Sequence, residues 1–296
     1  MITRIILIKF GKIGAVVAVM VLLAGVVVGC GGAGGRGAAR VGGGIDVIAG
    51  FYPLAFAAEK IGGPLVRVRN LTPVGAEPHD LELSPRDVGR IHSADLVLYL
   101  GHGFQPALED AAEARGGPTL DLLDGLELSP NGDPHVWLDP VRYARIAERI
   151  GKALGRPKAA SRFADRLKAL DREYRAGLAD CRRREIVTSH AAFGYLAGRY
   201  GLDQVAVTGL APEAEPGPRD LARVAGLARE RGATTIFFEP LVSRDIARTV
   251  ARAAGAETAL LDPLEGLTRD EAKRGEDYFS IMRRNLATLR EGLGCR

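Results

Sequence analysis

From residue 45 onward, short apolar runs alternate with stretches whose apolar residues recur at helical spacing. IDVIAG is followed by FAAEKIGG, VRVRNLTP by SPRDVGRIHSA, and LVLYLG by PALEDAAEA; TLDLL and HVWLD come next as strand-like runs. After a long helical stretch the alternation resumes with REIVTSH, AAFGYLAGRYG, QVAVTGL, PRDLARVAGLARERG, TTIFFEP, SRDIARTVARAAG and TALLDP. It closes with a helix from about Asp277 to Leu293. Short β-rich runs between helical runs predict βα units and parallel sheets. Several helices open on Ser-Pro, Ser or Pro and end at Gly, as capping preferences require.

The long helical stretch covers residues 141–181, and Gly155 with Pro157 should break it. Its second part, about 158–180, is a charged helix with no strand-like run beside it, which reads as a connecting rod. The fold class expected is α/β: two (β/α) lobes with parallel-type sheets, joined by one long helix, with an interlobe cleft. A single α/β domain with one long surface helix fits less well, because strand-rich patterns lie on both sides in similar amounts. The expected divisions are a signal peptide over 1–29, a lipidated cysteine and tether over 30–44, an N-terminal lobe over 45–155, a connecting helix over 156–182 and a C-terminal lobe over 183–296.

The N-terminus changes the picture of compartment. Arg4, Lys9 and Lys12 precede the uncharged run IGAVVAVMVLLAGVVV, and VVGC ends at Cys30. A basic segment, an apolar segment and a small-residue cleavage point make an export signal. The apolar run is borderline for a bilayer span, so an uncleaved anchor is the alternative. Val27-Val28-Gly29-Cys30 resembles a bacterial lipobox, in which the cysteine is lipidated. The Gly-rich residues 31–44 read as a flexible spacer.

Export also recasts charge and cysteine use. The whole chain carries 40 basic and 36 acidic residues, a net +4; removing the three basic residues of the leader leaves 37 − 36 = +1. No basic patch interleaved with aromatics is present, which excludes a nucleic-acid partner. Hydrophobic content of 47% and charged content of 26% are ordinary for a globular chain. Cys181 and Cys295 lie in an oxidising compartment, where a disulfide is the expectation and two free thiols the alternative. Closing so long a loop is worth roughly 4–5 kcal/mol in the chain-entropy account.

Candidate chemistry comes from the strand ends, because ligands of open α/β sheets bind outside the carboxyl ends of the strands. The chain has five histidines, and His79, His135 and His190 lie at or near such ends, as does Asp262. Two of these four precede the connecting helix and two follow it, so they can face each other across a cleft. Taken singly, each histidine reads as a cap or surface group, and the aspartate as a cap. Together they offer imidazole nitrogen and carboxylate oxygen, the donors zinc prefers in four-coordinate sites. No HExxH or CxxC is present, so the fold must assemble the site. Glu239, at the end of TTIFFEP, is the candidate to orient an imidazole from behind; capping the helix near Ser243 is its alternative role.

Specific segments narrow this further. GAEPHDLELSPRDVGRIHSADLVLYLG, GFQPALEDA, DPHVWLDP, IVTSHAAFGYLAGRYGL, IFFEPLVS and LLDPLEGLT spread over nearly the whole exported chain. In this order they resemble the zinc-binding lipoproteins of bacterial metal-uptake ABC transporters, the helical-backbone class of solute-binding protein. The resemblance implies that His79, His135 and His190 occupy three histidine ligand positions and Asp262 the carboxylate position. Glu265 or a water molecule competes for the fourth place. Manganese-specific relatives tend to carry a carboxylate where this chain has His190, and imidazole suits zinc. Many zinc members also carry a His/Asp-rich loop, whereas residues 103–134 contain no histidine. His102 is at most an auxiliary ligand in a Gly-rich turn, and His92 is expected at a helix surface.

The implied function is capture of Zn²⁺ outside the membrane and delivery to an ABC permease with its ATPase, by a monomeric, lipid-anchored, non-catalytic protein on the outer face of the cytoplasmic membrane. The competing functions are a manganese or iron carrier of the same class, a surface adhesin, and a zinc enzyme in which Asp262 leaves a position open for water and Glu265 acts as base.

Overall fold

Each half of the chain builds one four-stranded parallel sheet, in a computed structural model that describes residues 44–211, 217–241 and 244–296. The leader, Cys30, nearly all of the tether and Ser243 lie outside the described residues. In the first half, β1 (Ile45–Ala49) lies between β2 (Val66–Asn70) and β3 (Leu96–Tyr99), and β4 (Thr119–Asp121) adds to the far side of β3. In the second half, β5 (Glu185–Thr188) lies between β6 (Asp203–Ala206) and β7 (Thr235–Phe238), and β8 (Glu257–Leu260) adds to β7. The two sheets share one order, β2-β1-β3-β4 and β6-β5-β7-β8. The chain steps first to one side of the starting strand and then to the other. The order therefore reverses between β1 and β3, and between β5 and β7, which is where a crevice opens.

The helices follow the punctuation of the sequence. In the first half they are α1 (Tyr52–Gly62), α2 (Pro85–Ser93), α3 (Pro106–Ala114) and α4 (Pro140–Ala153). Then come α5 (Pro157–Gly177), α6 (Gly194–Tyr200), α7 (Pro218–Glu230), α8 (Arg244–Ala254), α9 (Arg269–Arg274) and α10 (Tyr278–Leu293). Ser84 caps α2 in a reciprocal box with Asp87, and Asp277 caps α10. The short α9 was not read from periodicity; its signal is the Thr268-x-x-Glu271 capping box.

HVWLD departs from expectation. Val136–Leu138 form a single 3-10 turn, not a strand. All three are buried, so the run has no inside–outside alternation. Pro134 and Pro140 bracket it and lack the N–H that a ladder needs. A short apolar run cannot by itself tell strand from other buried structure.

The long helix is not a free-standing rod. α5 buries Ala160, Phe163, Ala164, Leu167, Leu170 and Tyr174, and packs on α1, α4 and α10. Gly151 of α4 lets the two helices close: a Cβ there would lie 2.3 Å from Ala160 Cβ. Tyr174 donates its hydroxyl to Met282 O of α10 at 2.6 Å. One apolar cluster thus runs from Val47 and Phe51 through α5 to Phe237, Tyr278 and Leu293, spanning both halves. Two smaller clusters fill the outer faces, under α2 and α3 and under α7 and α8. A disulfide joins Cys181 to Cys295, 114 residues apart, and fastens the C-terminus beside the end of α5.

Candidate metal centre

His190 stands two residues past the end of β5, at the crevice of the second sheet. Its carbonyl accepts from Thr188 Oγ1 at 2.7 Å and Gln204 Nε2 at 3.0 Å, which fixes the backbone. Glu239, just past β7, takes the His190 N–H on Oε1 at 3.0 Å and meets Nδ1 with Oε2 at 2.6 Å. His135 is held in the same way over a shorter span: Asp133 Oδ1 accepts its N–H at 2.9 Å and meets Nδ1 at 2.7 Å. Tyr195 of α6 donates to Asp133 O at 2.9 Å, tying this loop to the second half. Each ring has a carboxylate at Nδ1, so in the neutral ring Nδ1 carries the proton and Nε2 keeps its lone pair.

His79 lies in the loop after β2, with Phe104 against its ring at 4.6 Å between centroids. Its Nε2 is buried and makes no hydrogen bond, although Glu265 Oε1 is 3.4 Å away. An unsatisfied buried nitrogen aimed at a carboxylate and two other imidazoles is an expected feature of a ligand set. Phe51, Phe104 and Trp137 form an aromatic wall on this side, with Trp137 5.1 Å from His135.

Glu265 reaches the same point from the loop after β8. Trp137 Nε1 donates to Pro263 O at 2.7 Å, and Gly75 N donates to Leu267 O at 2.8 Å, so the first half holds this loop at two places. Leu264 takes a left-handed conformation, φ 56°, and its N–H is accepted by Asp262 Oδ1 at 2.7 Å. That turn swings residue 265 inward.

The same turn sets the two candidates for the fourth position, Asp262 and Glu265, in different places. Asp262 is 1% exposed, but its carboxylate caps Leu264 and faces Arg284, with Oδ2 3.5 Å from Nη2. Burial beside Glu271 lifts its pKa to about 8. The donor atoms that converge belong to His79, His135, His190 and Glu265, all within 4.8 Å of one another. His102, in an exposed turn at φ 63°, and His92, exposed on α2, stand outside this group.

Glu265 Oε1 lies 3.2 Å from Nε2 of His135, 3.2 Å from Nε2 of His190 and 3.4 Å from Nε2 of His79; the first two nitrogens are 3.3 Å apart. A tetrahedron with zinc–ligand bonds of about 2.0–2.1 Å has edges of about 3.3–3.4 Å. The four distances quoted are close to the edges of a zinc tetrahedron.

The electrostatics match a cation site. Burial opposes ionisation of Glu265, but His190, His135 and His79 outweigh it and hold the carboxyl well below its usual range. Burial likewise opposes charging of His190, yet Glu239 and Glu265 raise its pKa well above 6.5. Burial beside Glu265 pushes Glu77 up to about 9.

Asp133, Phe104, Trp137 and Gln105 were not singled out from sequence. The spacing Asp-Pro-His was a usable signal for Asp133, since a carboxylate two residues back can bond both the backbone and the ring of the histidine. Phe104 and Gln105 follow β3 at the crevice, where the strand-end rule points.

Against known proteins, residues 47–292 match the family described as zinc-uptake complex component A, periplasmic. The zinc-binding lipoprotein AdcA of Streptococcus pneumoniae is 33% identical over 277 residues, 83% of this chain and 55% of AdcA. This chain spans about half the length of the first curated relatives it matches. Among solved structures, the Zn(II)-bound ZnuA-like domain of S. pneumoniae AdcA is 34% identical, with a TM-score of 0.73 over 85% of this chain and 99% of the domain. The laminin-binding protein Lmb of Streptococcus agalactiae, described as bifunctional with adhesin and metal-transporting activity, gives 32% identity and a TM-score of 0.78 over 84% of this chain and 100% of Lmb.

Proposed function

The chain belongs to the periplasmic zinc-uptake complex component A family, and from that premise we propose that it captures Zn²⁺ outside the cytoplasmic membrane and passes it to an ABC-transporter permease with its ATPase. The observation that carries this reading is the convergence of three imidazole nitrogens and one carboxylate oxygen within 4.8 Å of one another. His79, His135, His190 and Glu265 are the ligands, and the zinc ion is cargo. Three neutral imidazoles and one carboxylate leave a net +1 on the loaded site.

Imidazole-rich ligation favours zinc over manganese. Glu265 takes the position that a catalytic zinc keeps for water, which weighs against a hydrolase. Cys30 carries the lipid anchor in this reading, and the exported chain works as a monomer. A lobe over 45–155, a connecting helix over 156–182 and a lobe over 183–296 are its working parts. Similarity to Lmb supports adhesion as a second role.

Metal analysis of the chain purified without chelators, followed by competition between Zn²⁺ and Mn²⁺, tests the reading. One equivalent of zinc with preference over manganese is expected. Full zinc affinity in a His79→Ala/His190→Ala double variant sinks it.

A further inference from the structure

The three imidazoles point to one place but are held by different means. His135 and His190 each have a carboxylate at Nδ1. Among the described residues, His79 Nδ1 has no such hydrogen-bonded partner. What reaches the His79 segment is the side-chain amide of Gln105, 0% exposed, whose Nε2 is 3.1 Å from Pro78 O, the carbonyl of the peptide that leads into His79. The same nitrogen lies 3.3 Å from Gly50 O, at the end of β1, and 3.2 Å from Thr72 Oγ1, after β2.

The orientation of this amide follows from its surroundings. Pro78 O and Gly50 O only accept, so nitrogen, not oxygen, must face them. Thr72 Oγ1 uses its own proton on Gly50 O at 2.7 Å and is left to accept. Gln105 Oε1 is buried with no partner. A residue kept only to fill this volume could be Leu or Met and would leave no orphaned acceptor. Gln105 is also the residue before α3, yet its side chain does not cap that helix; Glu109 Oε1 accepts the Gln105 N–H at 3.2 Å. Gly50 makes the room, since a Cβ there would lie 2.2 Å from Gln105 Oε1.

We propose that Gln105 is the positioning residue for His79, holding the Pro78 carbonyl, and through it the ligand, in place of the carboxylate that the other two histidines possess. This rests on the reading of His79 as a zinc ligand. Zinc affinity and release rate are measured by chelator competition in the full chain for wild type, Gln105→Leu, His79→Ala and the double variant, with Co²⁺ absorption reporting coordination. Gln105→Leu is expected to weaken zinc binding about 10-fold, the low end for partners behind a ligand, mainly through faster release. Its Co²⁺ bands lose intensity as His79 is replaced by water.

In the His79→Ala background the same change is expected to alter affinity less than about twofold, because the two act as one unit. An equal loss in both backgrounds, or no loss in wild type, overturns the proposal. If His79→Ala alone has no effect, it is the ligand assignment that fails. Gln105→Met, which keeps the side-chain length, supplies the same cycle should Gln105→Leu fold poorly.

Discussion

The two sheets share a strand order but load their crevices differently. In the second, the central strands β5 and β7 lead directly to His190 and to the carboxylate behind it, Glu239. In the first, β1 leads to Gly50 and β3 leads to Phe104 and Gln105; the candidate ligand, His79, arrives from a loop nine residues beyond the last residue of β2, Asn70. One half presents a ligand fixed by backbone and carboxylate. The other presents a candidate ligand whose preceding carbonyl, Pro78 O, accepts from Gln105 Nε2. Topologically equivalent strands thus lead to different groups: β5 to His190, and β1, its counterpart, to Gly50.

The largest effect that can break this comparison is loss of the fixed ligand. His190→Ala should lower zinc affinity by more than about 100-fold, beyond the range seen for partners behind a ligand. His79→Ala should cost less, and equal losses in chelator competition contradict the asymmetry. Next come the carboxylates behind the rings: Glu239→Gln and Asp133→Asn should each cost about 10–100-fold while the metal-free melting temperature changes little. Asp262→Asn should cost less than Glu265→Gln in the same assay, since Asp262 shapes the turn and Glu265 supplies the donor.

A smaller, graded effect comes from pH. The raised pKa of His190 contributes stability to the metal-free fold below the unfolded value of 6.5, and that stability is lost as pH rises through the folded value. Zinc requires the neutral ring, so its affinity grows over the same interval. The zinc-induced rise in Tm is therefore expected to be larger near about pH 8 than near about pH 6. A rise that shrinks with pH contradicts the assignment. The smallest effect on the site comes from reducing the Cys181–Cys295 bridge, which should lower stability by up to about 4–5 kcal/mol for its 114-residue separation yet leave zinc affinity unchanged.

The alternation of apolar runs and helical periods was enough to read both sheets and nearly every helix, because each strand is a short run of three to five residues set between helical stretches. His190 was legible as a candidate because it stands just past a strand end, where such folds bind ligands; His135 borders a 3-10 turn and His79 lies nine residues past β2, so for these two the resemblance carried more than the strand-end rule. The choice between Asp262 and Glu265 was not. It depends on the sign of φ at Leu264, and a leucine gives no hint of a left-handed turn. HVWLD misled for a related reason: its fate was set by the prolines on either side. Gln105 carried no signal of its own in the sequence, and only the packing of β1, β2 and α3 turns its amide toward Pro78.

Trp137 has one more consequence. It is the only tryptophan in the sequence; its ring lies beside His135, and its indole N–H is bonded to the loop that carries Glu265. Any event that reorganises the ligands changes the surroundings of this one fluorophore. The chain thus contains its own optical gauge of occupancy, readable by intrinsic emission without label or chelator dye, and Trp137→Phe supplies the blank.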